Sequence, residues 1–175
     1  MHNTEDTRPV AIFDCMVFLQ ATARPSGPAA ACFRHAEDGR IRLVTSDVIL
    51  REIRNVLDRP KVRAKNPQLT DASIAAFLTR LNELAPPRTD AQSVFRYPRD
   101  PKDEPYLNLA IAENADYLVS WDKDILDLAT SDGPEARIFR NLAPRLQIMN
   151  PADFLALMRR STAPATKPQS DASSA

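Results

Sequence analysis

At 175 residues, with 43% hydrophobic and 26% charged side chains, the chain is long enough to bury its own core and reads as one globular domain. Lys plus Arg and Asp plus Glu both number 23, so the net charge is zero and provides no bulk attraction for nucleic acid. Two histidines and two cysteines leave almost nothing for zinc, a Ser-His triad or a disulfide framework, and no apolar run matches a signal peptide or a membrane span, so a cytoplasmic protein is expected.

Residues 1–8 are polar and read as a flexible tail. Val10-Ala-Ile-Phe-Asp14 is a short apolar run ending in an acid, the pattern of a buried parallel strand. Pro28 opens a helix that Gly39 closes; Cys32 within it, like Cys15, reads as a buried small hydrophobe. Ile41 to Thr45 is a second strand. Ser46 or Asp47 then caps a helix with Ile49, Leu50, Ile53, Val56 and Leu57 at helical spacing, which Pro60 stops. A basic connector (Arg59, Lys61, Arg63, Lys65) leads to a helix from Thr70 to Leu84, ended by Pro86-Pro87. Ser93 to Tyr97 reads as a weak strand or an extended lead into the acidic stretch. Asp103 is expected to cap a helix from Pro105 to Glu113, with Asn114 as a left-handed terminus. Tyr117 to Ser120 is a strand, Asp124 to Ala129 a short helix, Ser131 to Pro134 a turn and Arg145 to Met149 a last strand. Pro151 begins a final helix, and residues 159–175 read as a disordered tail rich in Ser, Ala, Thr and Pro. Alternating strands and helices with short links predict a three-layer α/β/α domain, residues 9–158, around a parallel sheet of about five strands.

In such sheets, chemistry lies at the carboxyl ends of the strands. Asp14 ends the first strand, Asp122 lies two residues past the Tyr117 strand, Asp103 begins the helix before it, and Glu52 sits one turn into the helix after strand two. Four carboxylates from four segments therefore converge on one rim. Like charges so placed disfavour ionisation unless a cation is present, and oxygen-only ligands select Mg or Mn. Asp100 reads as the acid that shapes the Arg-Asp-Pro turn. The densest basic segment (Arg51, Arg54, Arg59, Lys61, Arg63, Lys65) offers a track for a nucleic-acid backbone. Three glycines in the chain supply no Gly-x-Gly-x-x-Gly loop, which disfavours a dinucleotide enzyme. Met16 stands where an aspartyl-phosphate phosphatase needs a second acid.

The series Asp14, Ser46…Leu50-Arg-Glu52-Ile, Arg99-Asp-Pro-Lys-Asp103-Glu, Ala115-Asp-Tyr-Leu-Val-Ser120-Trp-Asp122 and Asn150-Pro-Ala-Asp-Phe-Leu155 resembles the PIN domain, in its VapC-like branch of toxin–antitoxin toxins. The resemblance implies a metal-dependent endoribonuclease acting on single-stranded or structured RNA. Asp14, Glu52, Asp103 and Asp122 would be its catalytic and metal-binding quartet, with Ser120 and Glu104 as accessories. It further implies a homo-oligomer and a cognate antitoxin. Cys15 and Met16 replace the Thr or Ser and Asn usual after the first acid, and Trp121 replaces a small residue. The alternative is a catalytically weak or inactive PIN-like domain that binds RNA or a partner.

Overall fold

The computed structural model describes residues 6–89 and 91–162; the expected tails lie outside the described residues at positions 1–5 and 163–175. Four strands form one parallel sheet: β1 (Val10–Phe13), β2 (Arg42–Leu43), β3 (Tyr117–Val119) and β4 (Gln147–Met149), in the order β2-β1-β3-β4. Ala11 pairs with Leu43 and Tyr117, Ile12 with Leu118, and Val119 with Met149. β1 is buried along its whole length, which is why its sequence is a continuous apolar run rather than an alternating one.

The helices are α1 (Cys15–Ala23), α2 (Pro28–Glu37), α3 (Asp47–Leu57), α4 (Pro60–Lys65), α5 (Asp71–Leu84), α6 (Glu104–Ala112), α7 (Lys123–Thr130), α8 (Pro134–Leu142) and α9 (Pro151–Thr162). Ser46 caps α3 through Ile49 N, and Thr70 and Ser73 form a reciprocal box at the start of α5. Asn114, at φ 47°, follows α6 in the left-handed region. The chain leaves β1 toward β2 but returns across it to β3. Right-handed crossovers therefore place α1 and α2 on one face and α6 to α8 on the other. α9 packs on α2, α6 on β1, and α7 on β4 and α8. Phe13, Phe18, Phe33, Phe77 and Phe154 link the core in edge-on and tilted contacts with centroids 5.3–6.5 Å apart. No helix among the described residues is long and apolar enough to cross a membrane.

Three local expectations change. The basic connector is the short helix α4, because Pro60 sits at a first helical position as well as ending α3. The turn at Ser131–Pro134 opens α8, with Gly133 as cap and Pro134 at the first position. α9 continues to Thr162, past the expected domain end at 158.

The fifth strand is absent among the described residues: 93–97 joins no sheet. Side chains of α6 take its backbone groups instead. Asn108 Oδ1 accepts from Val94 N (2.8 Å) and Phe95 N (2.9 Å), while its Nδ2 donates to Phe95 O and Glu104 O (both 2.9 Å). Glu104 Oε1 accepts from Tyr97 N at 2.8 Å. Asn108→Ala would leave two backbone N–H groups without their acceptor, so a loss of about 2–4 kcal/mol in urea denaturation is expected, on the usual penalty of about 1–3 kcal/mol per unsatisfied buried group.

Candidate active site

The order β2-β1-β3-β4 reverses direction between β1 and β3, and the crevice beyond the carboxyl ends of those two strands is where a parallel sheet opens. Both strands end there in polar residues. Asp14, 5% exposed, continues β1 by donating its N–H to Val119 O, and it caps α1 by accepting from Val17 N at 2.8 Å. Its other carboxylate oxygen accepts from Ser120 Oγ, and Trp121 N–H donates to the same carboxylate. Ser120 is fully buried, and its Oγ accepts from Asp122 N at 2.8 Å. Asp122 caps α7 through Asp124 N at 2.7 Å. A chain of hydrogen bonds thus runs from the end of β1 to the start of α7.

The third contribution comes from a 3-10 turn, Pro101–Asp103, ahead of α6. Asp100 caps that turn through Lys102 N at 3.0 Å, the role expected for it. It does more than that: Asp100, Asp103 and Asp122 each offer a carboxylate oxygen, and the three oxygens lie within 4.8 Å of one another. Asp103, expected as the cap of α6, makes no capping hydrogen bond. The preceding turn gives it helical backbone angles (φ −81°, ψ −18°), whereas a capping side chain needs an extended residue to fold back on the helix. Asp103 is 7% exposed, and its Oδ2 is buried without a hydrogen-bond partner. Burial first, then the charges of Asp122, Asp100, Asp14 and Asp124, push its carboxyl up to about 7. Asp14 is also raised, chiefly by burial.

Glu52 comes from α3. It accepts from the Tyr106 hydroxyl at 2.6 Å and stands outside the three-aspartate group. Burial and the charges of Glu52 and Asp14 push the Cys15 thiol up to about 12, so it stays a neutral, free thiol. Glu104 turns away, toward Tyr97 N and Arg96 (3.2 Å). Arg99 has a role that its position in the sequence did not disclose. It pairs with Asp124 (2.5 Å) and Asp127 (2.9 Å), tying the acidic turn to α7. Among the basic residues, Arg51, Arg54, Arg59, Lys61 and Lys65 are exposed on α3, α4 and the link between them. Arg63 is held by Asp58 (2.7 Å) and Asp71 (2.5 Å) and locks α4 between its neighbours.

The sequence profile of the PIN domain family matches residues 10–124, the span that carries every acid of this rim. The chain belongs to the PIN domain family. No curated protein and no solved structure matches it. In this PIN domain, an all-carboxylate set with a buried, unpartnered oxygen fits a hard divalent cation such as Mg or Mn, and the cluster is consistent with the active site of a metal-dependent nuclease.

The sign of the pH dependence follows. Asp103 holds its proton in the metal-free fold up to about pH 7, whereas the unfolded carboxyl loses it near 3.8. Its penalty is absent below the unfolded value, grows between the two and is complete above the folded one. Asp103→Asn should therefore raise the melting temperature of metal-free protein at pH 8 by several degrees, at roughly 2–4 °C per kcal/mol for a chain of this size, and much less at pH 4.5. Manganese should stabilise the wild type more at pH 8 than at pH 5.5 and should scarcely affect the variant. Thermal melts with and without chelator check both.

Proposed function

We propose that the protein is a metal-dependent endoribonuclease, and that it serves as the toxin of a toxin–antitoxin pair in the cytoplasm. The observation that carries the nuclease reading is the Asp103 carboxylate, buried with one oxygen lacking a partner and grouped with Asp100 and Asp122. Burying such a charge is costly unless a cation completes it. Asp100, Asp103 and Asp122 would hold Mg or Mn, with Asp14 supporting them. Such an ion would supply Lewis-acid chemistry for the hydrolysis of a phosphodiester.

The chain's own residues do the rest. Ser120 holds Asp14 and the N–H of Asp122 at once, fixing two acids relative to each other. Arg99 keeps the acidic turn against α7, and its pairing with Asp124 and Asp127 limits the negative field beside the cluster. The exposed basic residues of α3, α4 and their link are the candidate track for the RNA backbone. Self-association and an antitoxin that covers the acidic rim belong to the toxin reading, which rests on the sequence resemblance alone.

One observation favours a second reading, a weak or inactive domain that binds RNA or a partner. Glu52 is engaged by Tyr106 next to Cys15, so the fourth acid is held to one side of the aspartate group. Cleavage of single-stranded RNA with and without manganese separates the two. Metal-dependent cleavage that falls at least about 100-fold in Asp103→Asn, the scale for removing a principal stabiliser of developing charge, is expected. Ser120→Ala should lose about 10–100-fold, as for outer partners of metal ligands. Asp100→Asn should weaken manganese binding in calorimetry more than Glu52→Gln. A folded protein without metal-dependent activity would leave the binding-domain reading.

A further inference from the structure

We infer that Trp121 and Met16 form a nucleobase subsite: an apolar lip at the acidic rim on which an unpaired base beside the scissile phosphate stacks. This rests on the nuclease reading above. Trp121 is 38% exposed and Met16 42%, two of the few large apolar side chains left open to solvent among the described residues. Trp121 lies between Ser120 and Asp122, and Met16 two positions after Asp14, so both stand at the ends of the two strands that build the site. The Asp14 carboxylate fixes both backbones. It accepts from the N–H of Trp121 and from that of Val17, the residue after Met16.

Among the described residues the Trp121 ring stacks on no other aromatic side chain. An open indole is unfavourable in water, and next to three carboxylates it cannot attract phosphate. The part of a nucleotide that suits it is the flat, apolar face of the base, with the neighbouring phosphate over the aspartates. In a duplex both faces of a base are covered by its neighbours in the stack, so the subsite takes single-stranded RNA. Stacking is tolerant of base identity, with the larger purines favoured modestly.

Trp121 is the only tryptophan in the chain, so intrinsic fluorescence reports on this position alone. Titrating the full-length wild-type protein with short oligoadenylate in Ca²⁺, a hard cation for the same oxygen ligands, should quench that fluorescence saturably. In steady-state cleavage by otherwise wild-type protein, Trp121→Ala should raise KM about tenfold and change kcat little, whereas Trp121→Phe stays close to wild type, following the usual loss of a base–aromatic stack. An RNA lacking the base next to the cleaved bond should abolish the difference between wild type and Trp121→Ala. Cleavage with an unchanged KM in Trp121→Ala, or an equal penalty on the abasic RNA, overturns the subsite while the nuclease reading stands. Absence of both quenching and cleavage overturns both. A concentration-dependent blue shift that RNA does not reverse assigns the ring to a protein contact and likewise overturns the subsite.

Discussion

The hydrogen bond from Ser120 to Asp14 joins the carboxyl ends of the two central strands, and the site depends on it. Parallel strands cannot be closed by a hairpin, so nothing covalent holds the end of β1 to the end of β3. A buried carboxylate with donors from α1, from Ser120 and from the Trp121 backbone does so instead. Asp14 is at once a strand end, a helix cap and the anchor from which Asp122 is placed. Apolar residues could pack the same crevice, but they would not set the direction of a neighbouring acid.

The second constraint is electrostatic. Asp100, Asp103 and Asp122 stand close enough to share a ligand; the first two are installed by one 3-10 turn that runs into α6, and the third by the cap of α7. Arg99 neutralises the acids behind the cluster and leaves the cluster itself negative. The fold thereby tolerates a concentration of charge that raises the carboxyl of Asp103 to about 7, and it places that instability where a cation would relieve it.

Much of this was legible from local chemistry. The parallel sheet follows from short apolar runs separated by capped helices, and the meeting of Asp14, Asp103 and Asp122 at one edge follows from the rule for carboxyl ends. What escaped was long-range or doubly used. The Val94–Tyr97 segment has the composition of a strand, and only the position of Asn108 reveals that a side chain has replaced the neighbouring strand. Asp100 reads as a turn residue because it is one, and its approach to Asp103 is set by the helical pitch of the turn. The partnership of Glu52 with Tyr106 spans 54 positions, and nothing local in either segment announces it. Pro134 did carry a signal for α8, but the adjoining Ser-Asp-Gly obscured it as an ordinary turn.

The link between Asp14 and Ser120 spans 106 residues of chain. Closing a loop of that length is entropically unfavourable before any contact rewards it. During synthesis, Asp14 and its helix emerge well before their partner strand, and no nascent fragment that stops short of β3 contains the acidic rim. Assembly of the charged centre is in this sense timed by the ribosome: the chain must be made through Asp122 before it can possess one.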